Sequence, residues 1–60
     1  GGVVVRLPAE GVPFDDLERA VLAEALSMSG GNVSQAARLL HLSRDTLRYR
    51  MKRHGLEGTG

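Results

Sequence analysis

Residues Gly31 to Leu56 read GNVSQAARLLHLSRDTLRYRMKRHGL, and this stretch decides the fold. Asn32 is a residue type that caps helix N-termini through its side-chain oxygen, and Gln35, three positions on, matches the return half of a capping box. Val33, Ala36, Ala37 and Leu40 then recur at helical spacing, which predicts a short helix over residues 33–40 with one apolar face. The two alanines keep that face small, so a second helix can cross it closely. His41-Leu42-Ser43 is the break: Leu42 is apolar and placed to plug the core, and Ser43 is a second N-cap. The bend of such a connection often has positive φ, which glycine adopts freely and histidine at mild cost. His41 is therefore read as a turn residue and not as a metal ligand or a catalyst. From Ser43 to His54 a third helix turns Leu47 and Met51 inward, one turn apart; Gly55 stops it and Leu56 folds back as its apolar companion. Two short helices meeting at an angle, the second basic, are the sequence form of a helix-turn-helix.

Working outward, Gly30-Gly31 closes an earlier helix predicted over residues 14–29. Pro13 sits where a proline is tolerated at a helix start, and Asp15, Asp16 and Glu18 suit the positive end of the helix dipole. Leu17, Val21, Leu22, Ala25, Leu26 and Met28 recur at helical spacing, with Phe14 one turn ahead. Ala20 to Ala23 widen that stripe beyond one face, and a helix apolar over so much of its circumference usually has a second contact. A dimer face including Leu22 is the reading preferred over packing on the two short helices alone. Residues 1–13 read as an extended linker, because Pro8, Gly11 and Pro13 break any helix and Val3-Val4-Val5 is β-branched. That valine run either pairs with its copy across a dimer or lies on the helices. Residues 58–60 read as a tail beyond a domain spanning 14–57.

Size agrees with association. A chain of 60 residues buries only roughly 60% of its unfolded surface, which is marginal for a lone monomer. No cysteine is present to staple it, and two histidines alone do not make a structural zinc site. A homodimer is expected. The absence of cysteine fits a reducing, cytoplasmic setting, and no apolar run approaches the roughly 20 residues of a membrane span. The start at Gly1-Gly2 is what a domain cut from a longer protein, or a cloning scar, would give. No enzyme and no cofactor are expected: there is no nucleophilic cysteine, no phosphate-cradling glycine loop, and Asp15-Asp16 is a capping pattern.

The net charge of +1 conceals a division. Residues 1–37 carry Arg6 and Arg19 against Glu10, Asp15, Asp16, Glu18 and Glu24, a balance of −3; residues 38–60 carry six basic residues against Asp45 and Glu57, a balance of +4. A basic run alone reads equally well as a solvated face. Basic charge gathered in the last helix, with acid gathered in the first, is the footprint of a polyanion partner. The B-DNA major groove admits an α-helix whose N-terminal residues point at base edges. Arg44 can hold both acceptors of a guanine; Arg48, one turn on, reaches the next base or a phosphate; Asp45 can accept from cytosine or orient Arg48; Tyr49 can touch a thymine methyl or a phosphate. Thr46, Arg50, Lys52 and Arg53 are better placed for the DNA backbone. Asn32 and Ser34 suit a phosphate at the start of the second helix.

The pattern GN-x-S-x-AA-x-x-L-x-L-S-R-x-T-L-x-x-x-M-K-x-x-GL, covering 26 of the 60 residues, closely resembles the Fis-type helix-turn-helix. That motif ends the nucleoid protein Fis and the NtrC-like activators that work with the sigma-54 form of RNA polymerase. His41 departs from it, since the family usually has glycine there. The resemblance implies an all-α three-helix domain that dimerises through the helix before the motif, which would engage Leu17, Val21 and Leu26. It implies pseudo-palindromic DNA sites bound by two-fold dimers, lying upstream like enhancers in the activators. It also maps DNA contact onto Asn32, Ser34, Ser43, Arg44, Thr46, Arg48 and Tyr49, although Fis has a basic residue where Tyr49 stands. The valine-rich segment and LPAEG resemble the linker between an activator's ATPase domain and its C-terminal DNA-binding domain. The rival readings are a Fis-like architectural DNA-bending protein with little sequence preference, and a pure dimerisation module.

Overall fold

The computed structural model describes residues 2–56, and the expected tail at 58–60 lies outside them. Three helices follow in order, α1 Phe14–Met28, α2 Val33–Leu39 and α3 Arg44–Arg53, with no strand among the described residues. Each spans the segment whose periodicity predicts it. The expected spans run a residue longer at some ends because they count capping residues, which are only half helical: Ser29, Leu40 and His54 at C-termini, Ser43 at an N-terminus. Residues 2–8 carry no regular secondary structure and are exposed, so the valine run forms no strand in the chain by itself.

The starts of α2 and α3 are made by side chains. Asn32 Oδ1 accepts the Gln35 N–H at 3.0 Å, and Ser43 Oγ accepts the Thr46 N–H at 3.1 Å. Such caps are worth about 1 kcal/mol each. Pro13 occupies the same position before α1 without a side-chain cap; its carbonyl receives the N–H groups of Asp16 and Leu17 at 3.0 and 3.3 Å. Asp15 and Asp16 supply negative charge to that first turn.

All three C-termini close in one way. The N–H two residues past the cap bonds back to the carbonyl five residues before it, which is the Schellman pattern: Gly31 to Leu26, Leu42 to Ala37 and Leu56 to Met51, at 2.8, 2.9 and 2.8 Å. The residue between must take positive φ. It is Gly30 at 62° and Gly55 at 69°, but His41 at 57°, the one non-glycine among the described residues to do so. Leu42 and Leu56 then fold their side chains onto the core, as the motif favours.

That core is Leu22 and Ala25 from α1, Ala36 and Ala37 from α2, and Leu47 and Met51 from α3. Leu26, Val33, Leu40, Leu42 and Leu56 pack around it, half-buried. Ala36 and Leu47 have no accessible surface, so α2 is crossed closely at its alanines. The structure corrects the reading of α1 in two respects. Leu22, expected on a dimer face, is 2% exposed and belongs to the core, while Met28, expected to follow the inward stripe, is 65% exposed. The reason is rotational. A helix apolar over so much of its circumference leaves its facing undefined until Ala25 and Leu22 dock on α2 and α3. No helix among the described residues is long and apolar enough to cross a membrane.

Candidate nucleic-acid interface

The orientation of α3 sorts its side chains into three sets. Leu47 and Met51 are buried. Arg44, Arg48 and Lys52 recur every four residues along one exposed stripe, with Asp45 and Tyr49 beside it, Tyr49 at 69% exposure. Arg50, Arg53 and His54 turn towards α1.

The exposed stripe is chemically unspent. Among the described residues Arg44, Arg48 and Lys52 make no ion pair, so Asp45 does not hold Arg48. At the start of α3 the Ser43 hydroxyl lies 2.8 Å from Thr46 Oγ1. One hydroxyl proton bridges the two oxygens, and the other remains for an outside acceptor such as a phosphate oxygen. Asn32 and Ser34, at the start of α2, are also exposed; Asn32 keeps its amide donors while its oxygen caps the helix. The helix therefore offers guanidinium forks, an ammonium, a phenol and hydroxyl donors on one side, with donors of α2 nearby in sequence. Forked and donor-rich groups free of internal acceptors fit a polyanion whose base edges carry acceptors.

The third set lies against α1. Arg50 and Arg53, expected on DNA phosphates, also meet carboxylates of α1: Arg50 Nη1 meets Glu18 Oε1 at 3.1 Å, and Arg53 Nη2 meets Asp15 Oδ1 at 3.1 Å, the latter pair well exposed. Glu18 Oε1 also lies 2.9 Å from His54 Nε2. The Arg19 Nε–H donates to the carbonyl oxygen of His54 at 3.3 Å. Two carboxylates three residues apart thus meet two guanidiniums three residues apart, so side chains tie the first turns of α1 to the last turns of α3. The Glu18 and His54 side chains are nearly withdrawn from solvent, at 13% and 7% exposure. The hydrogen bond from His54 holds the Glu18 carboxyl below its ordinary pKa against the opposing effect of burial, with the bond and charge of Arg50 adding to it. Sequence reasoning used Glu18 only as a dipole partner and His54 only as a helix end. The matched spacing of acids in α1 and arginines in α3 was the signal available.

The expected dimer residues are dispersed as well. Leu17 and Leu26 are half-buried, Leu22 is in the core, and Val21 is 44% exposed. Val21 lines an open apolar groove between α1 and the end of α2, with Ala20, Met28, Leu39 and Leu40; Glu24 is its one charged lining residue.

Residues 13–54 match the family described as bacterial regulatory protein, Fis family. The transcriptional regulatory protein XylR of Pseudomonas putida is 46% identical over 44 residues, which are 73% of this chain and 8% of that protein. The phenol regulator MopR of Acinetobacter guillouiae is 44% identical over 45 residues, 75% of this chain and 8% of that protein. The chain thus corresponds to a small part of the length of either relative. No solved structure matches it significantly.

Proposed function

The chain belongs to the Fis family of bacterial regulatory proteins, and on that premise we propose that it is the C-terminal DNA-binding domain of an NtrC-like activator working with the sigma-54 form of RNA polymerase. Its work is DNA binding for transcription regulation. In the finer reading it binds pseudo-palindromic, enhancer-like upstream sites as a homodimer, in the cytoplasm, and is not itself an enzyme. An ATPase domain elsewhere in the parent protein supplies the activating step. The observation that carries this reading is the unspent basic stripe of α3. Among the described residues Arg44, Arg48 and Lys52 make no ion pair although carboxylates are plentiful in α1, where Asp15 engages Arg53 and Glu18 engages Arg50 and His54.

The roles divide by position. Arg44 and Arg48, nearest the N-terminal end of α3, read base edges with Asp45 and Tyr49 beside them. Asn32, Ser34, Ser43, Thr46 and Lys52 hold phosphates, which fixes register without specifying sequence. Arg50 and Arg53 belong to the same phosphate set, their part-exposed guanidiniums being shared with carboxylates of α1. Two copies associate through the outer apolar face of α1, with Val21 at its centre and Leu17 at its margin, so that two α3 helices enter successive major grooves. Leu26 lies across the buried Leu22 and Ala25 from Val21 and packs on the core.

Selection from a random duplex library, with the winners titrated at two salt concentrations, tests the reading. Enrichment of an inverted repeat with half-site centres one helical turn apart, roughly 34 Å, is the expected result. Salt-sensitive binding that enriches no motif would instead favour an architectural DNA-bending protein. Absence of binding at low salt would leave only a dimerisation module.

A further inference from the structure

Glu18 stands outside the helix-turn-helix, yet it is the acidic residue of α1 most withdrawn from solvent. Its carboxylate gathers Arg50 at 3.1 Å and His54 at 2.9 Å, two groups one turn apart at the C-terminal end of α3. The neighbouring Arg19 bonds the His54 carbonyl at 3.3 Å, so consecutive residues of α1 converge on that last turn. We propose that Glu18 is a positioning residue for base reading. By holding Arg50 and His54 it fixes the tilt of α3 against α1, and with it the angle at which Arg44 and Arg48 meet DNA. This inference rests on the sequence-reading function proposed above.

The lever is long enough to matter. Arg44 and His54 are separated by roughly 15 Å of helix axis at 1.5 Å per residue, so a tilt of about 4° pivoting at His54 moves the start of the helix by about 1 Å. A displacement of that size takes a two-bond guanidinium contact out of hydrogen-bonding range. The apolar contacts of Leu47 and Met51 lie between the two ends, so the hydrogen bonds to Glu18 add a directional restraint at the C-terminal end of α3, where a small change of tilt is amplified at Arg44. The Asp15–Arg53 pair is the exposed member of the clasp, with side chains 63% and 50% accessible, and contributes little by comparison.

Simple electrostatics and positioning predict opposite results for Glu18→Gln. The substitution removes one negative charge and leaves Arg50 and His54 only a neutral amide oxygen to bond, a weaker hold. Charge alone would therefore tighten binding to every duplex in equal proportion. Positioning predicts lost discrimination. The test compares the intact protein and its variants on the selected site and on a scrambled duplex of equal length, with helical circular dichroism recorded in parallel. Glu18→Gln is expected to lower the selected-to-scrambled affinity ratio about tenfold, the discrimination of one good bidentate contact, with binding to the scrambled duplex undiminished. Asp15→Asn, which makes the same charge change at the exposed pair, is expected to leave the ratio unchanged. An unchanged ratio in Glu18→Gln, or an equal fall in both variants, would overturn the inference. Should Glu18→Gln unfold, His54→Leu keeps apolar bulk at that site while removing one partner of Glu18, and it must lower the ratio in the same way. A wild-type protein that does not discriminate at all would remove the sequence-reading function and this inference together; one that discriminates beside an unaffected Glu18→Gln removes this inference alone.

Discussion

Arg44 and Lys52 lie two turns apart on the same exposed stripe of α3, but their chemistry suits them to different work. A planar guanidinium at the start of the helix matches the two acceptors of a guanine, whereas an ammonium near its end is a point charge for a phosphate. Arg44→Ala is therefore expected to cost about 1–3 kcal/mol and to relax preference at one base pair, while Lys52→Ala weakens all sequences alike and lowers the salt slope by about one. Identical behaviour of the two variants in competition titrations would erase the division between base and phosphate contacts. Glu18 belongs to a different chemistry, that of stability. Its folded pKa lies below the ordinary 4.5, chiefly because of the His54 hydrogen bond, so the folded state binds the proton less readily than the unfolded chain does. The resulting stability is present in full above the unfolded value and is lost as pH falls below 4.5 and through the lowered one. Wild type should therefore exceed Glu18→Gln in denaturation midpoint near pH 7, and the two midpoints should converge as pH falls towards 3. A gap that stays constant over that range would mean that the ionised carboxylate adds no stability.

The helix ends show how local chemistry sets each element, and His41 is where that chemistry is least comfortable. It holds the left-handed position that Gly30 and Gly55 fill at the other two ends, at φ 57°. That conformation costs a residue with a Cβ roughly 1–2 kcal/mol, while glycine's extra freedom in the unfolded chain gives back about 0.5–1. His41→Gly is thus expected to stabilise the domain by about 0.5–1 kcal/mol, seen as a higher urea midpoint at unchanged slope. No gain would mean that His41 makes a compensating contact. Features of this kind were legible in the sequence because they are local: Asn32 and Ser43 announce their caps, and the glycines and His41 announce their turns. The facing of α1 was not legible, because its apolar residues cover too much of its circumference for periodicity to choose between Leu22 and Val21. The clasp escaped notice for a different reason, since its partners lie 32, 36 and 38 residues apart. Candidate DNA residues were separable into free and engaged groups only once Arg50 and Arg53 had been found on α1.

At the scale of the whole molecule, the core is small and the surface retains apolar area. Half of the six buried core residues are alanines, while Val21, Met28 and Leu39 remain 44%, 65% and 46% exposed around one groove. Small domains seldom leave such a patch uncovered, and in the proposed homodimer a two-fold copy covers it. Two substitutions on adjacent residues of α1 should then have different consequences. Val21→Asp places a charge on the outer face, where the monomer tolerates it; helical circular dichroism should persist while sedimentation shifts from dimer to monomer. Binding to a single half-site should survive, but affinity for the inverted repeat should fall by about a hundredfold or more as the second contact ceases to be intramolecular. Leu22→Asp places the same charge at a position 2% exposed and should instead unfold the domain, because an unpaired carboxylate cannot stay ionised there at tolerable cost. If Val21→Asp leaves both sedimentation and repeat binding unchanged, the two copies do not meet on this face of α1. If it unfolds the chain as Leu22→Asp does, Val21 is part of the core and the outer face has been misassigned.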